Sequence, residues 1–171
     1  EIPKRDWSSD VCSSDLTSVY NIPGFMHFVS GPAQAGPTTY PQTGTASYTL
    51  VGATAPTDNA GNSGTLNSLT LNANFNNRTV AATVNATVAG TTLVGTTSDA
   101  RITDNGFAAS TGKAVGNLAV TCTGTCGITN SGQLNGQFYG AGATGAAIVY
   151  GMQTLGPGLQ KGIVGAAALK R

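Results

Sequence analysis

Charge is what this sequence has least of. Only 9% of its 171 residues are Asp, Glu, Lys or Arg, against roughly a quarter in average soluble proteins. With a formal net charge of +1 and no basic run longer than Lys170-Arg171, it lacks the electrostatic footprint that phosphate binding needs, which excludes nucleic acid as a partner. Histidine is almost absent too. The one ring, His27, lies in a Pro-punctuated stretch and is expected to pack beside Phe25 or Phe28, so a nucleophile would have no positioned base. Past residue 16 the carboxylates are Asp58, Asp99 and Asp104, all in or near Gly/Asn/Thr-rich segments that read as surface turns and not as an acid/base pair. The segments "TDNAGNSG" and "NSGQLNG" lack the several acidic oxygens of a Ca²⁺ loop, and no Gly-Lys-Ser/Thr sequence offers a phosphate loop. No catalytic residue, metal ligand or cofactor site is therefore expected. A run of about eighteen apolar residues is also missing, so no transmembrane helix is encoded, and the first residues lack the apolar core of a signal peptide.

What is present falls into two unequal parts. The opening "DWSSDVCSSDL", residues 6–16, contains the only Trp, one of three Cys and three of seven acidic residues. It resembles a translated sequencing adapter, so residues 1–16 are expected to be an artefact outside the fold, with any true N-terminal region, signal or anchor lying upstream. From residue 17 the chain is built of Gly, Thr, Ala, Asn and Val. Residues 17–43 carry Pro23-Gly24, Gly31-Pro32, Gly36-Pro37 and Pro41, which leave room for one short extended piece at 25–29, in a lead-in that packs on the domain formed by residues 44–171.

Residues 44–171 alternate. In 68–75, Leu69, Leu71, Ala73 and Phe75 share one face and Ser68, Thr70, Asn72 and Asn74 the other; in 79–88, Val80, Ala82, Val84, Ala86 and Val88 do the same, as half-buried strands require. Asn76-Asn77-Arg78 joins them as a hairpin turn able to take positive φ at Asn. Further runs at 44–53, 91–98, a less regular stretch at 106–121, and 132–141, 145–153 and 162–169 bring the count to about eight. Short turns such as Ala89-Gly90 and Asp104-Asn105-Gly106 connect them. This predicts an all-β fold: an eight-stranded antiparallel up-and-down β-barrel, closed so that no edge is exposed. Inward Gly136, Gly140, Gly165 and Ala167 would let Phe138 and Leu169 fit a narrow lumen. Cys122-Thr-Gly-Thr-Cys126 is spaced to close a short disulfide ring at a hairpin tip, with Gly124 supplying the bend. Free thiols are the alternative, because two thiolates without another Cys or a nearby His are too few for structural zinc.

"GQLNGQFYGAGATGAAIVYGM" (132–152) and the ending "KGIVGAAALKR" resemble the C-terminal end of the transferrin-binding-protein-like β-barrel family, whose pattern Gly136, Phe138, Tyr139, Gly140 and Ala143 match. "TGTASYTLVGATAPTD" (43–58) is similar to the first strand of such barrels where they follow a FecR-type domain. Family barrels usually carry acidic residues after the motif, where this chain has Ala143-Thr144-Gly145-Ala146. The resemblance implies a non-enzymatic barrel module of an exported bacterial envelope or surface protein. It would present loops to an unknown protein or small ligand, and would be tied to a membrane only through an upstream anchor. The resemblance supplies no ligand-contact residues. Two other readings of an eight-stranded barrel stand beside it: a lipocalin-like carrier of a small apolar ligand in the lumen, and a small outer-membrane barrel.

Overall fold

The computed structural model describes residues 26–29, 41–104 and 106–171. The segment expected to be adapter-derived, most of the lead-in, Phe25 and Asn105 lie outside the described residues. Ten strands follow in order: β1 (Thr45–Ala53), β2 (Thr57–Asp58), β3 (Thr65–Asn74), β4 (Thr79–Val88), β5 (Thr91–Thr103), β6 (Gly106–Ser110), β7 (Ala119–Gly124), β8 (Thr129–Tyr139), β9 (Gly145–Gly156) and β10 (Leu159–Lys170). All pairings between them are antiparallel, and β1 pairs with both β3 and β10, so the sheet closes on itself.

The ten segments make eight staves. β1 does the closing: Thr45–Tyr48 pair with β3, whereas Thr49–Ala53 pair with β10 across a bulge between Leu50 and Gly52. β2 then stays on β10, with Asp58 opposite Ile163 and Thr57 opposite Val164. The stretch expected as one irregular strand at 106–121 is two pieces along one stave. β6 bonds one end of β5 and also β8; β7 bonds the other end of β5. The loop between them is sewn down by Thr111, whose N–H donates to the Gly132 carbonyl and whose Oγ1 accepts the Gly132 N–H and donates to the Leu118 carbonyl.

Bulges explain where simple alternation failed. β5 buries Thr91, Leu93, Gly95 and Thr97, then Ala100 and Ile102, because the register slips between its pairs with Val80 and Ala82. The extra residue moves the inward set from odd to even numbers, so the strand runs past Ser98 to Thr103. A second bulge between Leu66 and Ser68 hides the first residues of β3 in the same way. The β3–β4 turn takes positive φ at Arg78 (54°) and not at an Asn. The asparagines act through their side chains, as Asn74 Oδ1 accepts the Asn77 N–H and Asn76 Oδ1 accepts the Gly44 N–H. Met26–Val29 form no strand.

The inward faces fill the lumen. Phe138, Leu71, Leu93, Leu118, Leu134, Ile148, Met152, Ile163 and Leu169 are each at most 1% exposed, which is the packed interior that eight staves allow. Gly136 and Gly165 face inward because large neighbours leave no room: a β carbon at Gly136 would overlap the Phe107 ring, and one at Gly165 the Tyr150 hydroxyl. Gly140 is not inward; it sits in the β8–β9 turn with φ of 75°. The outward faces of β3 and β4 carry Thr70, Asn72, Thr83, Asn85 and Thr87, a surface suited to water and unlike the apolar band of a membrane barrel.

Two buried polar atoms are unmatched among the described residues, Asn130 Oδ1 and the Tyr150 hydroxyl. The Tyr150 hydroxyl is buried without a hydrogen-bond partner among the described residues, and burial raises its pKa well above the ordinary tyrosine value. Removing it should relieve a desolvation cost of about 1–3 kcal/mol. Tyr150→Phe is accordingly expected to raise the melting temperature; a lower melting temperature would show that the hydroxyl has a partner in solution.

Candidate functional site

The staves run between two differently built ends. At the first, the turns after β3 and β8 meet the start of β1. There Phe138 holds the centre of a ring cluster, with centroids 5.7 Å from Tyr48, 5.6 Å from Phe75 and 5.2 Å from Phe107, all tilted. Such tilted rings within reach of one another add attraction beyond their buried area. The motif residues picked out by sequence collect here. Tyr139 Oη donates to the Leu169 carbonyl and its ring occupies the space that a Gly145 side chain would take. Ala143 is buried with φ of 56°, and its carbonyl accepts the Tyr48 hydroxyl at 2.8 Å. Burial pushes the Tyr48 hydroxyl up to about 12, against the pull of the Arg171 charge. Gly136, Phe138, Tyr139, Gly140 and Ala143 thus cap one end of the barrel, and no side chain in this set is free to act on a ligand.

The opposite end carries the β2–β3 loop, residues 59–64, together with the β7–β8 loop. Between β2 and β3 the chain folds around Asp58, which is buried and not on the surface as its turn context suggested. Its Oδ1 accepts the Ala60 and Asn62 N–H groups, and its Oδ2 accepts the Asn62 side-chain amide. Asn59 ties the loop to β10, donating to the Gln160 carbonyl and accepting the Gly162 N–H. Burial alone would raise the Asp58 pKa, but the Asn62 and Ala60 hydrogen bonds and the Lys161 charge outweigh it and hold the carboxyl below its ordinary value. A carboxylate depressed in this way stabilises the fold fully above the ordinary carboxylate range, and the contribution disappears as pH falls through the native value. The melting-temperature difference between the wild type and Asp58→Asn should therefore be constant near neutrality and shrink below about pH 4. A difference that grows on acidification would contradict this.

His27 reaches the same end. Its Nδ1 lies 2.7 Å from Thr54 Oγ1 and its Nε2 2.7 Å from Thr57 Oγ1. A neutral imidazole fits, with one nitrogen donating and the other accepting, and burial lowers its pKa. The expected packing against Phe28 is not what holds the ring, since Phe28 is 68% exposed. Thr54 in turn accepts the Ala166 N–H, so His27 pins this part of the lead-in to the β1–β2 connection and β10. The β7–β8 loop lies at this end as well. Cys122 and Cys126 stand with Cα atoms 5.9 Å apart and sulfurs 2.06 Å apart, and Gly124 has φ of 94°. Lys161 Nζ donates to the Ala89 carbonyl and Thr91 Oγ1. Ile128 beside the cysteine loop is 84% exposed and Met26 beside His27 is 80% exposed. Sequence reasoning missed this convergence, because the loops meet only through the barrel topology. Asp99 and Asp104 sit in the β5 bulge and the β5–β6 turn, away from Asp58.

A family model described as the C-lobe and N-lobe β barrels of Tf-binding protein B matches residues 34–167. The chain belongs to this family. Like those barrels, this Tf-binding-protein-B-type domain is all-β and closed. No curated protein matches it. Among solved structures it is similar to a vaccine antigen, a tryptophan-to-alanine mutant of Transferrin Binding Protein B from Haemophilus parasuis Hp5, at 13% identity and a TM-score of 0.37. That match covers 79% of this chain and 28% of the other.

Proposed function

We propose that this barrel is a non-enzymatic recognition module of a bacterial envelope protein, and that it meets a protein partner through the end formed by residues 54–62 and 124–128. The observation that carries the reading is the asymmetry of the ends. One is capped by buried rings, while the other gathers the loop around Asp58, the cysteine loop and the exposed apolar side chains of Met26, Phe28 and Ile128. Exposed apolar side chains on braced loops are what a protein interface uses as anchors. Membership of a family named for Tf-binding makes transferrin the first partner to try. The sequence-based domain limits, an artefact at 1–16, a lead-in at 17–43 and a barrel at 44–171, belong to this reading, as do export and an upstream FecR-type domain or lipid anchor. The lumen-carrier reading is not favoured, because the interior is occupied by side chains.

Iron-loaded transferrin flowed over the immobilised chain supplies the test. Binding that Ile128→Asp weakens at least tenfold, about 1.4 kcal/mol, supports the proposal; binding indifferent to Ile128, or none, removes it. A Cys122–Cys126 disulfide is part of the same proposal. Intact-mass measurement of protein isolated from an oxidising compartment should show these two thiols unreactive to alkylation until reduced, whereas labelling without reduction would show free thiols.

A further inference from the structure

Among the described residues, Met26–Val29 is hydrogen-bonded to the barrel through one side chain, His27, the single histidine of the chain. Every proton around the ring is accounted for. Thr54 Oγ1 accepts the Ala166 N–H at 3.0 Å and donates its own proton to the Ala166 carbonyl at 3.3 Å. It can therefore only accept from the ring, which places a proton on Nδ1 and leaves the Nε2 lone pair to accept the Thr57 hydroxyl. This network assigns the neutral tautomer, with both nitrogens in use. A second proton on the ring reverses the Thr57 bond. Nε2 becomes a donor, and the Thr57 hydroxyl proton then has no other acceptor among the described residues, although Thr57 is buried. A buried donor left without a partner carries the cost of its desolvation.

No opposite charge offsets that cost. The elements around the ring are the β1–β2 connection, β2 and β10, and the connection, residues 54–56, carries no titratable side chain. Asp58 of β2 has its carboxylate bound by Ala60 and Asn62. Lys161 of β10 turns its ammonium to Ala89 and Thr91, and Lys170 stands at the far end of the strand, opposite Thr49. Burial is what acts on the ring, and it lowers the His27 pKa. Detachment of this segment leaves the barrel intact, because residues 26–29 form no strand and β2 keeps its pairs with β10.

We infer that Met26–Val29 is a pH-sensitive strap, docked on the β1–β2 connection while His27 is neutral and released when the ring takes up a proton. A histidine favoured neutral in the docked state stabilises docking fully above its ordinary value of about 6.5, and that stabilisation is lost as pH falls through the docked value. Met26 and Phe28 are exposed on the strap, so release withdraws two apolar anchors from the proposed recognition end, and acid weakens partner binding there. This consequence rests on the loop-end reading, whereas release of the strap does not.

The test follows the intact ¹⁵N,¹³C-labelled chain by NMR from about pH 7.5 to about pH 4.5, across the range in which histidine titrates. The His27 ring signal should titrate with a midpoint below about 6.5. Backbone order parameters of Met26–Val29 should fall from about 0.85 to below about 0.6 with the same midpoint, while those of the strands stay unchanged. Thr57→Val, which removes the hydroxyl and keeps the branched shape, should raise the ring midpoint towards the ordinary value and loosen the strap at neutral pH as well. His27→Gln should abolish the acid transition in Met26, Phe28 and Val29. Strand-amide spectra at neutral pH report that both variants keep the barrel. A ring midpoint at or above about 6.5, a strap that stays rigid after the ring has titrated, or a strap transition that persists in His27→Gln, as it would if Asp58 drove it, would each overturn the inference. No partner is present in these measurements, so failure of transferrin binding leaves their result unaffected.

Discussion

Phe138→Ala is expected to destabilise the barrel by about 3–5 kcal/mol, the range for truncating a fully buried aromatic residue. Phe138 is 0% exposed and has Tyr48, Phe75 and Phe107 at centroid distances of 5.2 to 5.7 Å. Those partners come from β1, the β3–β4 turn and β6, so one ring joins three separate stretches of the chain to β8. The sheet hydrogen bonds around it prevent the end from collapsing into the space, so a cavity remains and its cost adds to the lost burial. For a chain of this length each kcal/mol corresponds to about 2–4 °C in melting temperature, so the effect is large in any thermal scan. Urea unfolding should show a lower midpoint at an unchanged slope. A loss below about 1 kcal/mol would mean that the four rings do not form the closed end described here.

Gly136→Ala is the second large effect, and its cause is the reverse. A single methyl there would overlap the ring atoms of Phe107, whose residue pairs directly with Gly136 across β6 and β8. The Phe107 ring is itself packed against Phe138, with centroids 5.2 Å apart, which limits its freedom to shift. Overpacking of this kind costs about 1–3 kcal/mol or more. The double variant Gly136→Ala, Phe107→Leu should recover part of that loss, since a smaller side chain frees the space. If the double variant is no better than the sum of the two single changes, Phe107 is not the obstacle.

These two residues also mark how much was legible beforehand. Strict alternation in β3 and β4 disclosed a hairpin and its inward set, because the period of two is a direct consequence of the pleat. The closing motif at Gly136, Phe138 and Tyr139 could be seen as a pattern, and the structure supplies its reason: a glycine makes room for one ring, and another ring fills the end. Bulges were not legible. At Ser98-Asp99 and at Asn67 one extra residue shifts the phase, and composition does not signal it. The broken stave formed by β6 and β7 reads as irregularity for the same reason. Nor was the loop end visible, since His27, Asp58, Lys161 and Cys126 are far apart in sequence and are gathered only when β1 closes on β10. Asp58 looked like a surface turn residue; its carboxylate is buried because the loop around it donates three hydrogen bonds.

The most direct test of the central claim is amide hydrogen exchange on the chain, alone and in complex with iron-loaded transferrin. A recognition module with a filled lumen predicts new protection at residues 54–62 and 124–128, with the β3–β4 and β8–β9 turns unchanged and the inward strand amides slow in both states. Protection at the ring-capped end, or no complex to measure, would contradict the account.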